Sequence, residues 1–401
     1  MPQKMKILLL SFYYPPDLCA GSFRCKALVD ALTKANQTNL EIEVFTTHPN
    51  RYHEYKIEPM ANEQDQNIKL TRVQLPSHNS DFVGQAKAFK KFYSHAIKHA
   101  KKNRYDAVVA TSSRLFTAFL GARIAKKQRI PLILDIRDIF VDTMNDLLQK
   151  RVQKPVLKLF KKVEAYTMKS ANYINVVSPA FLPYFQTYTN LSPCSVFTNG
   201  IDDEFTEHHF SARQTTDTSL TLTYAGNMGQ GQGLHALFPE IANSLPQINF
   251  QLCGAGGQLK ELQEKTNHLS NVNLMAPVKR DQLIPLYQQS DILFLHLNNH
   301  NAFKKVLPSK IFEYAATGKT IVAGVSGEAK RFLEEEVKDG VHVFEPCDKD
   351  ACINILNQLS QSDSLPHYPR EAFVQKYMRT NIMDNFVERI LSTLHLQEEV
   401  V

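Results

Sequence analysis

At 401 residues the chain is long enough for two domains of ordinary size. Hydrophobic residues make up 43% and charged residues 21%, the composition of a soluble globular protein, and no apolar run approaches the length of about eighteen residues that a membrane-spanning helix needs. Residues 1–200 hold 29 Lys+Arg against 15 Asp+Glu and residues 201–401 hold 17 against 25, net +14 and −8, so the front half either meets an anionic partner (membrane surface, nucleic acid or phosphorylated substrate) or simply presents a solvated basic face.

Met1 to Leu10 is too short and too strand-like for a signal peptide, and Lys6 to Phe12 is a near-continuous apolar run typical of a strand buried on both faces of a parallel sheet. A loop then carries Gly21 and Ser22 into a helix from about Phe23 to Thr33, the strand, glycine turn and helix of a doubly wound fold. Arg24 stands in the first helical turn, where the dipole disfavours a cation, so it is expected to reach across a cleft or into solvent. Glu41 to Thr47 predicts the next strand, 49–67 an irregular loop, and 82–103 a basic amphipathic helix in which His95 and His99 lie on a lysine-rich solvated face. Strands at Ala107–Thr111 and Pro131–Asp135 follow, with a helix over 114–127 between them. Asp135, Arg137 and Asp138 sit just past a strand's carboxyl end, where α/β sheets place their chemistry, although an N-cap with a salt bridge would explain the same residues. Residues 150–170 hold seven Lys/Arg around a face of Val152, Val156, Leu159, Val163 and Met168, a helix that either lies on a membrane surface or packs on the sheet. Strands at Asn172–Val177 and Cys194–Thr198 complete a first Rossmann-like half, and 201–219 reads as a linker.

The second half restarts the alternation. Strands are predicted at Leu220–Ala225, Ile248–Cys253, Val272–Met275, Asp291–Leu297 and Thr320–Gly324, and a last long helix runs from Pro369 to Leu396. After the first strand the turn Gly226-Asn227-Met228-Gly229-Gln230-Gly231-Gln232-Gly233 opens a helix, and closely spaced glycines let backbone N–H groups approach an anion. Pro308 blocks any helix from upstream, Ser309 is placed to cap a short helix over Lys310–Thr317, and Gly318 is its stop. That helix start offers amides, a hydroxyl, the Lys310 ammonium and, on the same face, the Glu313 carboxylate. Such a set suits a nucleotide diphosphate, whose phosphates take the positive groups and whose ribose hydroxyls take the carboxylate. An ordinary capped helix with a surface Lys–Glu pair is the plain alternative.

Other chemistries fit less well. Gly254-Ala255-Gly256-Gly257 lacks the spacing of a dinucleotide fingerprint, and neither a GxSxG nor a Walker A motif is present. His95 and His99 have metal-ligand spacing but no third ligand, and the six cysteines form no CxxC pair, as in a reduced cytoplasmic protein without a zinc site.

Taken together, KILLLSFYYPPDLCAGSFR, VVSPAF, TNGID, YAGNMGQGQGL, LCGAGG and above all LPSKIFEYAATGKTIVA resemble the family 4 glycosyltransferases, in particular a bacterial surface-polysaccharide branch that includes fucosaminyltransferase-like enzymes. The resemblance implies a GT-B fold, α/β with two facing Rossmann-like domains and an interdomain cleft. It divides the chain into an acceptor-side domain, 1–200, and a donor domain, 201–374, with a C-terminal helix of about 375–401 packing back on the first. It implies retaining transfer of a sugar from a nucleotide-sugar to a hydroxyl of a lipid-linked or polysaccharide acceptor, in O-antigen or capsule synthesis, without metal or cofactor. The expected location is the cytoplasm, with inner-membrane contact as one use of the basic half and no nucleic-acid partner. By position, Glu313 would hold the donor ribose, Ser309 and Lys310 would lie beside the diphosphate, and Gly226, Asn227 and Gly229 would lie opposite. Gly21, Ser22 and Arg24 would form the front loop, with Asp135, Arg137 and Asp138 on the acceptor side and Lys310, Asp135 and Arg137 carrying catalysis. Two departures stand out. Lys305 occupies a position where many relatives have glutamate, and Asn227 and Gln232 stand where many have arginine and lysine, leaving Lys310, Arg280, Lys304 or Lys305 to meet the diphosphate. The rival readings are a nucleotide-sugar epimerase or hydrolase of the same fold, and a basic membrane- or nucleic-acid-binding module with an inactive site.

Overall fold

The computed structural model describes residues 4–35, 39–49, 60–75 apart from 61 and 66, 82–112, 115–147, 150–188, 192–213, 219–362 and 364–398. The chain forms two compact units, one of residues 1–199 with 380–401 and one of residues 200–379.

Among the described residues the first unit is built on eight strands: β1 (Met5–Ser11), β2 (Leu40–Thr47), β3 (Asn62–Asp65), β4 (Ile68–Val73), β5 (Ala107–Ser112), β6 (Leu132–Ile136), β7 (Tyr173–Val176) and β8 (Cys194–Val196), ordered β3-β4-β2-β1-β5-β6-β7-β8. All neighbours are parallel except the edge pair β3–β4. Ile7 to Leu10 are at most 1% exposed, as expected of a central parallel strand covered by helices on both faces. Gly121 marks one close approach, because a Cβ there would stand 2.9 Å from the Ala110 methyl.

The second unit has six parallel strands, β9 (Thr221–Asn227), β10 (Asn249–Ala255), β11 (Val272–Met275), β12 (Ile292–His296), β13 (Thr320–Gly324) and β14 (Val341–Phe344), in the order β11-β10-β9-β12-β13-β14. Side chains alternate between two cores. Leu293 and Leu295 face one with Ile311, Phe312 and Tyr314, and Ile292 and Phe294 face the other with Leu237 and Phe238.

Several boundaries differ from the sequence expectation. Part of the 49–67 loop lies outside the described residues, and the rest contributes β3. β4 and β14 are additional to the expected strands. The expected linker is not an open one: Ile201, Phe205 and Phe210 are buried in the second unit, while 214–218 lie outside the described residues. The long C-terminal helix is two, Glu371–Tyr377 and Arg379–Glu398. Between them Met378 takes an extended conformation and bridges Ile201. The second of these helices groups with the first unit, where Phe386 stacks against Tyr173 and packs against Phe197.

Candidate active site

In the second unit β9 runs two residues into the glycine turn and ends at Asn227. Gly226 has φ +153°, and a Cβ built on it would lie 2.3 Å from Lys310 Nζ. The lysine therefore lies directly across the backbone at the carboxyl end of β9, with its ammonium 5.9 Å from the centre of the Tyr224 ring. Tyr224 Oη in turn donates to the Asn227 carbonyl at 2.6 Å. Lys310 and the glycine turn, far apart in sequence, thus lie together at the carboxyl end of β9.

The turn is held by its own amides. Met228 N–H donates to the Ala255 carbonyl and Gln258 N–H to the Met228 carbonyl, both at 2.9 Å. Asn227 Nδ2 donates to Gln232 Oε1 at 2.6 Å, so the two neutral residues at the positions of expected cations bind each other. Gly229 lies under this pair, where a Cβ would stand 2.6 Å from Asn227 Nδ2. Gly254 and Gly256 are packing residues: a Cβ at 254 would sit 1.8 Å from the Gly226 carbonyl oxygen and one at 256 would meet the Met228 backbone at 2.6 Å, whereas one at 257 would meet nothing within 4 Å.

The helix from Lys310 is Lys310–Ala316, ending at Thr317, with Gly318 at φ +67° as its stop. Ser309 already has helical backbone angles and its side chain makes no capping bond, which corrects the expected hydroxyl cap, since an N-cap needs an extended residue. Glu313 is 3.2 Å from Arg280 Nη1. Arg280 also pairs with Asp202 and Glu204 and lies over the Phe205 ring. Three carboxylates therefore take up its charge, so the expectation that Arg280 meets a diphosphate gives way to a role in fixing Glu313.

Two supporting residues carry no signal in the sequence. His296 is fully buried between the Gln232 carbonyl, 2.6 Å from Nδ1, and the Cys347 N–H, which donates to Nε2 at 3.0 Å. Nδ1 therefore carries the proton and ties down the end of the glycine turn. Arg370, also buried, donates to the carbonyls of Ala315, Lys319 and Asp339 and so closes the end of the Lys310 helix.

In the first unit the front loop behaves differently from expectation. Arg24 is fully buried and makes a two-pronged ion pair with Asp135, Nε to Oδ2 at 2.8 Å and Nη2 to Oδ1 at 2.9 Å. It also donates to the carbonyls of Thr198 and Phe197. Asn175 and Thr111 donate to the same carboxylate. Burial works to raise the Asp135 pKa, but Arg24 and Asn175 hold it below the ordinary carboxylate value. Asp135 is accordingly a structural anion, and neither it nor Arg24 is placed to touch a substrate. Arg137 is held differently: its guanidinium covers Gly21, where a Cβ would meet Nη1 at 2.2 Å, and its buried Nε has no hydrogen-bond partner. Ser22 Oγ, next to Gly21 in sequence, is buried and likewise unpartnered.

Asp138 turns inward. It lines a small cavity with Glu164, Phe140 and Phe185, which corrects its expected place on the acceptor side. Burial pushes Asp138 up to about 6 and Glu164, which accepts from Tyr184 Oη at 2.6 Å, up to about 7. Both bind protons more tightly folded than unfolded, so stability is highest below about pH 4 to 5 on their account and falls as pH rises through 7. Glu164→Gln is expected to raise stability at pH 8 by on the order of 3 kcal/mol, with little change at pH 5, read as thermal midpoints at the two pH values. A variant whose midpoint falls with pH as steeply as the wild type would remove Glu164 as the cause. No group of three His, Cys, Asp or Glu among the described residues is arranged to hold a metal ion.

Two doubly wound, largely parallel units with a glycine turn and a lysine at a strand's carboxyl end define the GT-B class of protein. Residues 25–205 match the family model described as Glycosyltransferase Family 4, and residues 219–362 match Glycosyl transferases group 1. The chain is a glycosyltransferase of the GT-B type. A search of curated proteins finds no match. Among solved structures, sucrose-phosphate synthase from Thermosynechococcus elongatus aligns with a TM-score of 0.72 at 13% identity, over 98% of this chain and 100% of that one. HepE of Anabaena in complex with UDP-glucose aligns with 0.65 at 16% identity, over 97% and 100%. WaaG, a glycosyltransferase involved in lipopolysaccharide biosynthesis, aligns with 0.64 at 13% identity, over 95% of each chain.

Proposed function

We propose that the protein transfers a sugar, with retention of configuration, from a nucleotide-sugar to a hydroxyl of a lipid-linked or polysaccharide acceptor, in the synthesis of a surface polysaccharide such as O-antigen or capsule. The observation that carries this reading is Lys310 lying across Gly226 at the end of β9. As the glycosidic bond breaks, the leaving diphosphate gains negative charge, and a fixed ammonium beside bare backbone meets that charge without reorganising. In this reading neither a metal nor a cofactor is required, Glu313 accepts from the ribose, and Arg137 above Gly21 orients the acceptor. No protein nucleophile is invoked; the leaving phosphate oxygen takes the acceptor proton. Peripheral contact with the inner membrane is part of the proposal. It is supported by Leu159, 59% exposed on the helix Lys150–Lys169 among Lys158, Lys161 and Lys162. No helix among the described residues is long and apolar enough to cross a membrane.

A thermal-shift panel of UDP, GDP, ADP and CMP tests the donor half. One nucleotide is expected to raise the midpoint, by the equivalent of about 2.7 kcal/mol when present at a hundredfold excess over its Kd. UDP is the first choice, since the HepE structure contains it as UDP-glucose. No response to any nucleotide would favour a binding module, and consumption of the sugar-nucleotide without an acceptor would favour the epimerase or hydrolase reading.

A further inference from the structure

The helix Phe82–Lys102 carries Lys91, His95, Lys98 and Lys102 at spacings of three and four, so they share one face. That face, with Arg72 from β4 and Phe45 from β2, lines a cavity of about 410 Å³ within the first unit. Arg72 is only 7% exposed. Its Nε is 3.2 Å from Glu63 Oε1 and its Nη2 donates to the Pro15 carbonyl at 2.7 Å, but Nη1 is buried with no partner. A buried guanidinium nitrogen left unsatisfied costs free energy, and such an orphan calls for an explanation.

Among the described residues, the nearby acids do not neutralise the cavity. Glu43 is fully buried beneath it, with His99 Nε2 at 2.7 Å, the Tyr105 hydroxyl at 2.8 Å and Lys69 at 3.1 Å. Burial alone would raise its pKa, but the bonds from His99 and Tyr105 hold it at about 2, so it is a permanent anion whose charge is already matched. His99 is thereby turned toward the sheet, which corrects its expected place on a solvated face. Glu63 pairs with Arg72. Lys91, Lys98 and Lys102 have no carboxylate partner among the described residues.

We propose that this cavity binds a phosphate-bearing group, with Arg72 Nη1 as the inner donor and Lys91, Lys98 and Lys102 as the surrounding charge. Three ammonium groups with no carboxylate partner among the described residues, beside a buried guanidinium nitrogen without a hydrogen-bond partner, suit a multiply charged phosphate better than a carboxylate. The Phe45 ring and Val73 in the wall give an organic portion of the ligand something to pack against. The phosphate could reach the cavity on a soluble compound or on a lipid headgroup, and the chemistry of recognition is the same.

The test is calorimetric titration with inorganic pyrophosphate, alongside sedimentation with vesicles of phosphatidylcholine containing phosphatidic acid. Lys98→Glu with Lys102→Glu is expected to weaken the responding ligand at least tenfold, and Arg72→Gln to abolish its binding. Arg123→Glu with Lys127→Glu, a matched charge reversal on the exposed face of another helix, is expected to leave binding unchanged. With excess UDP present to occupy the donor site, Lys310→Ala is also expected to leave it unchanged, which separates this cavity from the donor site. A pyrophosphate response identifies a soluble source and a vesicle-only response a lipid one. If Arg72→Gln fails to fold, the lysine pair decides. The proposal is overturned if neither ligand binds the wild type, if the lysine pair binds as the wild type does, if the control reversal weakens binding equally, or if Lys310→Ala alone abolishes it.

Discussion

Replacing Lys310 by alanine is expected to lower kcat by about 10²–10³-fold, the usual cost of removing one preorganised group that faces developing charge. The dissociation constant for the nucleotide is expected to rise by less than about tenfold, because an interaction that strengthens as the leaving group departs contributes more to the transition state than to the ground state. The reason lies in the placement of the side chain. Its ammonium lies over the Gly226 backbone, next to Tyr224, and so it is already in place when the diphosphate charge grows. Steady-state kinetics together with nucleotide titration checks the split. Equal losses in turnover and in binding would mean that Lys310 only holds the donor.

The second large effect is on folding. Asp135→Ala leaves the Arg24 guanidinium in a site with no solvent exposure and no counter-charge, and breaking one side of a buried pair typically costs about 3–5 kcal/mol. A correspondingly lower denaturant midpoint is expected. Arg24→Met combined with Asp135→Leu should restore only part of it, since the Phe197 and Thr198 carbonyls lose their donor. If Asp135→Asn instead kept wild-type stability and lost turnover, the carboxylate would be a catalytic group after all.

These two residues show what can be read from the chain and what cannot. Strands such as β1 and β12 are legible because burial on both faces demands unbroken apolar runs, and the Lys310 helix is legible because Gly318 at φ +67° ends it. β4 is hidden because Lys69 and Thr71 interrupt its apolar pattern, and the reason for Lys69 is an ion pair with Glu43 on the next strand. Arg24 reads as a cation pointing away from its helix because its partner lies 111 residues further on. The pairing of Arg280 with Asp202 and Glu204 is similarly remote, across 78 and 76 residues. Local propensity locates elements well, whereas the partner of a charged side chain is set by topology. The Met378 break depends on Ile201 bonding across from the other end of the unit, which no local signal announces.

The seam at the carboxyl ends of β9 and β10 bears on how much change the glycine turn can tolerate. Gly254 and Gly256 press directly on the backbone of Gly226 and Met228, with no side chain between them to absorb a shift. A methyl group added at either glycine would collide with backbone, at Gly254 inside the β9–β10 ladder itself, and so disrupt the turn beside Lys310. Any side chain at these two positions is thus expected to cost the turn its shape while leaving every side chain around it unchanged in identity.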